Sequence, residues 1–199
     1  MTKLDSPTQT LQRAVLIVAL LNIGYFGIEF AVALSIGSVS LFADSIDFFE
    51  DASVNFLIVI ALGWPAIWRA RIGMALAAIL LVPAIATLWT AWAKFGTPVP
   101  PEPLALSLTG AGALAVNLTC ALILVRHRHH SGSLPKAAFL SARNDALANV
   151  AIIVAGLVTI YTLSAWPDLI VGLGIAVLNA DAARQVIAAA RKEHLKPDS

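Results

Sequence analysis

Four carboxylates, Asp44, Asp47, Glu50 and Asp51, fall inside the segment Leu41-Phe42-Ala43-Asp44-Ser45-Ile46-Asp47-Phe48-Phe49-Glu50-Asp51-Ala52-Ser53-Val54-Asn55, which otherwise has the apolar character of a membrane span. A charged side chain at bilayer depth costs about 2.5 kcal/mol or more, so acidic residues placed there are functional candidates. Residues three and four apart share a helix face, which aligns Asp44, Asp47, Asp51, Val54 and Ile58. Asp47 and Asp51 then point the same way, one turn apart. Two carboxylates held together in low dielectric repel unless a cation or a proton stands between them. The chemistry this spacing offers is cation binding, with proton exchange beside it.

A second segment, Ser141-Ala142-Arg143-Asn144-Asp145-Ala146-Leu147-Ala148-Asn149, repeats the theme. Ser141, Asn144, Asp145 and Ala148 share one face of a helix, and Arg143 lies on another. Arg143 reads as a structural partner for Glu50 or Glu29, or as a fixed cation that competes with substrate. Glu29 stays open between a residue at the mouth of a pathway, an Arg143 partner and a helix-helix contact.

The elements that must position these groups are set by composition. The chain has 199 residues, of which 59% are hydrophobic and 13% charged. Its mean hydropathy is +0.83. A soluble domain carries about 25% charged residues, so the expected class is an all-α polytopic membrane protein. Six candidate spans are each near the ~20 residues needed to cross a bilayer: 13–35, 39–63, 70–94, 104–126, 136–163 and 168–190. Polar tails over 1–12 and 191–199 flank this six-helix domain of 13–190. Breakers separate the spans at Gly37-Ser38, Gly63-Trp64-Pro65, Thr97 to Pro103, His127 to Pro135 and Trp166-Pro167-Asp168. Pro83 predicts a kink inside the third span.

Lys3, Arg13, Arg69, Arg71, Arg126, Arg128, Lys136, Arg184, Arg191, Lys192 and Lys196 all fall on one side of this arrangement, and Lys94 on the other. The positive-inside rule then puts both termini in the cytoplasm. The formal net charge of +1 and the absence of a basic, aromatic-interleaved patch give no footprint for nucleic acid. The single Cys120 excludes an intramolecular disulfide and reads as a small packing residue.

Depth along the spans, at about 1.5 Å per residue, puts Asp51 about 18 Å and Asp145, Asn22 and Asn117 each about 14 Å from their cytoplasmic ends. Four helices thus place an oxygen-bearing side chain near one level. With Asp47 included, a mid-membrane cation site explains the layer better than hydrogen-bonded glue between helices, because carboxylates make poor glue without a counter-charge. A lipid-modifying metal enzyme would need a diphosphate-binding constellation that the segment around Asp51 lacks. A passive cation channel or a non-transporting subunit stays open, but no enzymatic activity is expected. The Arg126-His127-Arg128-His129-His130 loop reads either as a metal-capture site or as a charged loop that fixes topology. Asp181 and Arg184 read as a surface pair, and His194 as solvent-exposed.

Residues 22–51 read Asn-x6-Glu-x8-Ser-x-Ser-Leu-x-Ala-Asp-Ser-x-Asp-x3-Asp. This resembles the first two helices of the cation diffusion facilitator transporters. The resemblance extends to Asn117, to Asp145-Ala146-Leu147 and to Asp168, nearly the whole chain. It implies a six-helix protomer, a homodimer in the lipid bilayer, and exchange of a cytoplasmic divalent metal for protons by alternating access. The expected localisation is a bacterial inner (cell) membrane. The resemblance assigns Asp47 and Asp51 to the first ligand pair and Asp145 to the last ligand. The remaining ligand position, commonly His or Asp, is Ser141 here, so Asn144 or a water is expected to complete the shell. Asn22, Asn117, Glu29 and Asp44 form the supporting polar layer. The family usually continues into a cytoplasmic metal-binding domain; this chain ends at Ser199, which implies a short form whose dimer rests on helix contacts, through small residues such as Gly172 and Gly174. No cofactor is permanently bound; manganese, iron, zinc or cobalt is the expected cargo. An all-oxygen shell leans away from zinc, which prefers nitrogen and sulfur.

Overall fold

The computed structural model describes residues 7–61, 85–125 and 133–178. These form six helices: α1 (Pro7–Ile36), α2 (Val39–Ala61), α3 (85–96), α4 (Pro103–Val125), α5 (Ser133–Thr162) and α6 (Trp166–Leu178). The protein is all-α. The Gly63-Trp64-Pro65 breaker, the Pro83 kink, the Arg126 to His130 loop, Asp181, Arg184 and His194 lie outside the described residues.

Local chemistry sets the helix ends. Glu102 accepts the free N–H groups of Leu104 and Ala105 and so caps α4, while Pro103 opens it at a position where a missing N–H costs nothing. Gly37, at φ 65°, turns the chain between α1 and α2 in the left-handed region that favours glycine. Ser38 Oγ then caps α2 by accepting the Leu41 N–H at 3.1 Å. Two boundaries differ from the sequence reading. The tail expected over 1–12 is helical from Pro7, and α5 begins at Ser133 rather than after Pro135. Pro135 fits there because the first turn of a helix needs no intrahelical donor.

Gln9–Ile36, Pro103–Val125 and Asn144–Thr162 are long and apolar enough to cross a membrane. α2 has the length, but its four carboxylates dilute its apolar character. Large apolar side chains such as Leu20, Ile28, Leu108, Leu122, Val154 and Ile170 face outward, as a lipid-facing surface requires. Trp89, Trp92 and Tyr161 are exposed, and Phe95 packs edge-on against Trp166 at 5.6 Å. Such rings are at home at a membrane-water interface.

Among α1, α2, α4 and α5 the contacts form two tight pairs, α1 on α2 and α4 on α5, joined mainly through α1 and α4; α2 touches α5 only sparsely. The first pair is seamed by aromatic rings: Tyr25 on Phe48, Phe26 on Phe49 and Phe30 on Phe42, with centroids 5.1, 5.2 and 5.5 Å apart. Val18, Cys120, Ala121 and Leu124 form the apolar contact between α1 and α4.

At the end where α1 turns into α2, Asp168 of α6 gathers the structure. Its carboxylate accepts from Ser38 Oγ (2.6 Å), Ser40 Oγ (2.7 Å), Val39 N (2.9 Å), Ser40 N (3.1 Å) and Lys94 Nζ (2.9 Å). Lys94 also donates to the Gly37 carbonyl. The pair is nearly dry, with side chains 9% and 0% exposed. α6 approaches closely enough that a Cβ on Gly172 would meet the Val39–Ser40 backbone at 2.8 Å. Gly172, expected at a dimer contact, is therefore occupied within the protomer. Removing one partner of a buried pair leaves a charge uncompensated, so Asp168→Ala is expected to destabilise the bundle by about 3 kcal/mol. Asp168→Asn, which keeps an acceptor, should cost less; thermal unfolding in detergent ranks the two.

Candidate metal site

On α2 the buried side runs through Asp44, Ser45, Phe48, Ala52 and Asn55, whereas Asp47 and Asp51 are half-buried and Val54 is exposed. The acidic stripe thus lies at the edge of the buried side rather than at its centre. The aromatic seam explains this: large rings take the dry contact with α1, leaving Asp47 and Asp51 on the flank.

Asp47 lies within electrostatic reach of Asp145 on α5 and of Asp44, Glu50 and Asp51 on its own helix. Asp51 and Asp145 both act on the Cys120 thiol of α4, which in turn approaches Asn22 Oδ1 of α1 at 3.5 Å. Asp47, Asp51, Asp145 and Asn22 are thereby brought to one region by α1, α2, α4 and α5. Cys120 is buried and free. It packs in an apolar cluster, and it also places a sulfur atom near the carboxylates. Among the described residues, no three His, Cys, Asp or Glu side chains gather tightly enough to hold one ion. Asn144 is exposed; it, Asp51 and Asp145 all have polar or electrostatic partners. The side chains of Ser141 and Arg143 lie outside the described residues.

A second polar group is held apart from the first by its bonds. Asn117 Nδ2 of α4 donates to Asn149 Oδ1 of α5 at 2.9 Å, and Asn149 Nδ2 donates to Asp44 Oδ2 of α2. All three are buried. Asn117, expected at the level of Asp51, is tied to Asp44 instead. Glu29 of α1 is fully buried beside Asp44 and interacts with it, so it is not a residue at an exposed mouth. Asn149 was missed as a site residue, although its place one turn beyond Asp145 on an apolar helix was the available signal.

Residues 15–193 match the cation efflux transmembrane domain, which accounts for nearly all of the chain. The chain belongs to the cation efflux family. No individual curated protein matches it. The cation efflux family consists of membrane transporters of divalent cations and not of enzymes, which removes the metal-dependent membrane enzyme from the readings. The protein is accordingly an integral membrane protein with a six-helix transmembrane fold. In this cation efflux domain the Asn117–Asn149–Asp44 chain crosses the otherwise sparse α2–α5 interface. Asn149→Ala leaves Asp44 without its amide donor, and an orphaned buried acceptor costs about 1–3 kcal/mol. The expected outcome is a lower unfolding temperature than for an Asn144→Ala variant, measured side by side.

Proposed function

We propose that the protein is a divalent metal/proton antiporter that exports a transition metal from the cytoplasm by alternating access. Asp47 and Asp51 of α2 and Asp145 of α5 supply the ligating carboxylates, and Asn144, Ser141 or water completes the shell. The observation that carries this reading is the electrostatic meeting of Asp47 with Asp145 across the loosely packed α2–α5 interface. A cation between them offsets the like-charge repulsion of the two carboxylates. Because that interface is sparse, a small relative movement of the two tight helix pairs suffices to open or close the site.

The oxygen-rich donor set suits manganese or ferrous iron, and a nearby thiol widens the choice towards zinc or cobalt. Protons and metal compete for the same oxygens, since a carboxylate must be deprotonated to ligate. Metal entry from the cytoplasm then expels protons, and release on the far side readmits them. Dimerisation belongs to the same proposal, with Gly174, at which an added Cβ has no neighbour within 4 Å, free to meet a second copy. A bacterial inner membrane is the setting proposed.

Proteoliposome flux across a panel of divalent ions tests the reading. Wild type should couple metal entry to counter-flow of protons, and Asp51→Asn should lose both. Transport should slow as cytoplasmic pH falls from about 8 to about 6, because protons occupy the ligating oxygens. Metal flux that is insensitive to pH and moves no protons would favour a passive channel.

A further inference from the structure

Glu29 and Asp44 present an unsolved hydrogen-bonding problem. Their carboxyl groups face each other within hydrogen-bonding reach, and both side chains are fully buried. A carboxylate has no hydrogen to donate. Asp44 Oδ2 is answered by Asn149, but Asp44 Oδ1 and both Glu29 oxygens find no donor. Among the described side chains the surroundings offer none. From α1, Tyr25 faces both carboxyls, but its hydroxyl hydrogen goes to the Thr109 carbonyl of α4 at 2.6 Å. From α2, Asp47 adds a like charge. From α5, the Asn149 amide reaches Asp44 Oδ2 and does not reach Asp44 Oδ1 or Glu29, and Asp145 acts on Asp47. Lys94 is committed to Asp168 and the Gly37 carbonyl, and among the described side chains no cation faces the pair.

Two ionised carboxylates buried side by side without a cation would each carry a desolvation penalty of several kcal/mol, with mutual repulsion added. The smallest species that resolves this is one hydrogen. We propose that Glu29 and Asp44 form a proton-binding site separate from the metal carboxylates, with the proton on Glu29 and donated to Asp44 Oδ1. Glu29 holds it because Asp44 is the better anion of the two, having the Asn149 amide as a donor. Uptake of one proton makes one O–H bond on Glu29 and lowers the charge of the pair from two negatives to one. The pair then satisfies itself as carboxylic acid to carboxylate, a charge-assisted hydrogen bond. Its use in transport rests on the antiport reading above: Asp44 is on the same helix as Asp47 and Asp51, so a movement of α2 that changes the metal site also changes the distance from Asp44 to Glu29 and the hold on the proton.

Infrared spectroscopy of the protein in bilayers tests this without metal. A protonated-carboxyl C=O band, separate from the carboxylate bands and shifted in heavy water, is expected at neutral pH. It should shift again when the chain is made with carbon-13-labelled glutamate, which requires no variant. It should vanish in Glu29→Gln and persist in Glu50→Gln and Asp51→Asn. Absence of the band, or a band indifferent to the glutamate label or lost with Glu50→Gln, overturns the proposal. Proton counting in proteoliposomes separates it from the antiport reading. If wild-type flux moves metal with no protons, antiport fails while the infrared result still decides the site. If antiport holds, Glu29→Gln should move fewer protons per metal than wild type.

Discussion

A carboxylate taken out of water costs several kcal/mol unless a donor or a cation meets it, and α2 takes four of them into an apolar bundle. Much of the architecture follows from how they are met. Asp44 receives an amide from α5. Asp47 and Asp51 sit on the flank of the helix, half-buried, where α5 brings a further carboxylate to them. The cation efflux family transports divalent cations, and carboxylates held at the flank of one helix are groups that a cation can meet.

The helix pairs differ in how firmly they are joined. α1 and α2 are held by paired aromatic rings, and α4 and α5 pack closely. Between α2 and α5 the contact is sparse, and much of its specificity lies in the Asn149 bridge to Asp44. At the α1–α2 turn the opposite holds: Asp168 binds the start of α2 and the Lys94 side chain together. The described helices are thus held tightly at the α1–α2 turn and more loosely between α2 and α5.

The membrane class, the six helices and the acidic face of α2 were legible because they are local. Hydropathy marks the spans, Gly37-Ser38 marks the first turn, and helical spacing brings Asp47 and Asp51 together. What the sequence hid depends on contacts between distant segments. Asp168 bonds to residues 74 to 130 positions away, and no spacing within a helix encodes that. Asn117 was expected in the supporting polar layer with Asp44, but the Asn149 amide that links the two comes from a third helix. Gly172 looked free for a partner because its neighbours, Val39 and Ser40, come from the other end of the chain.

In the proposed function α2 and α5 hold the metal jointly. Equilibrium binding of a divalent ion to the purified protein, comparing wild type with Asp145→Asn, tests it most directly, because Asp145 is the one carboxylate of the proposed set outside α2. If the account is right, the neutral variant loses most of the affinity while its unfolding temperature stays near that of wild type. Undiminished binding by Asp145→Asn would contradict it and confine the site to α2.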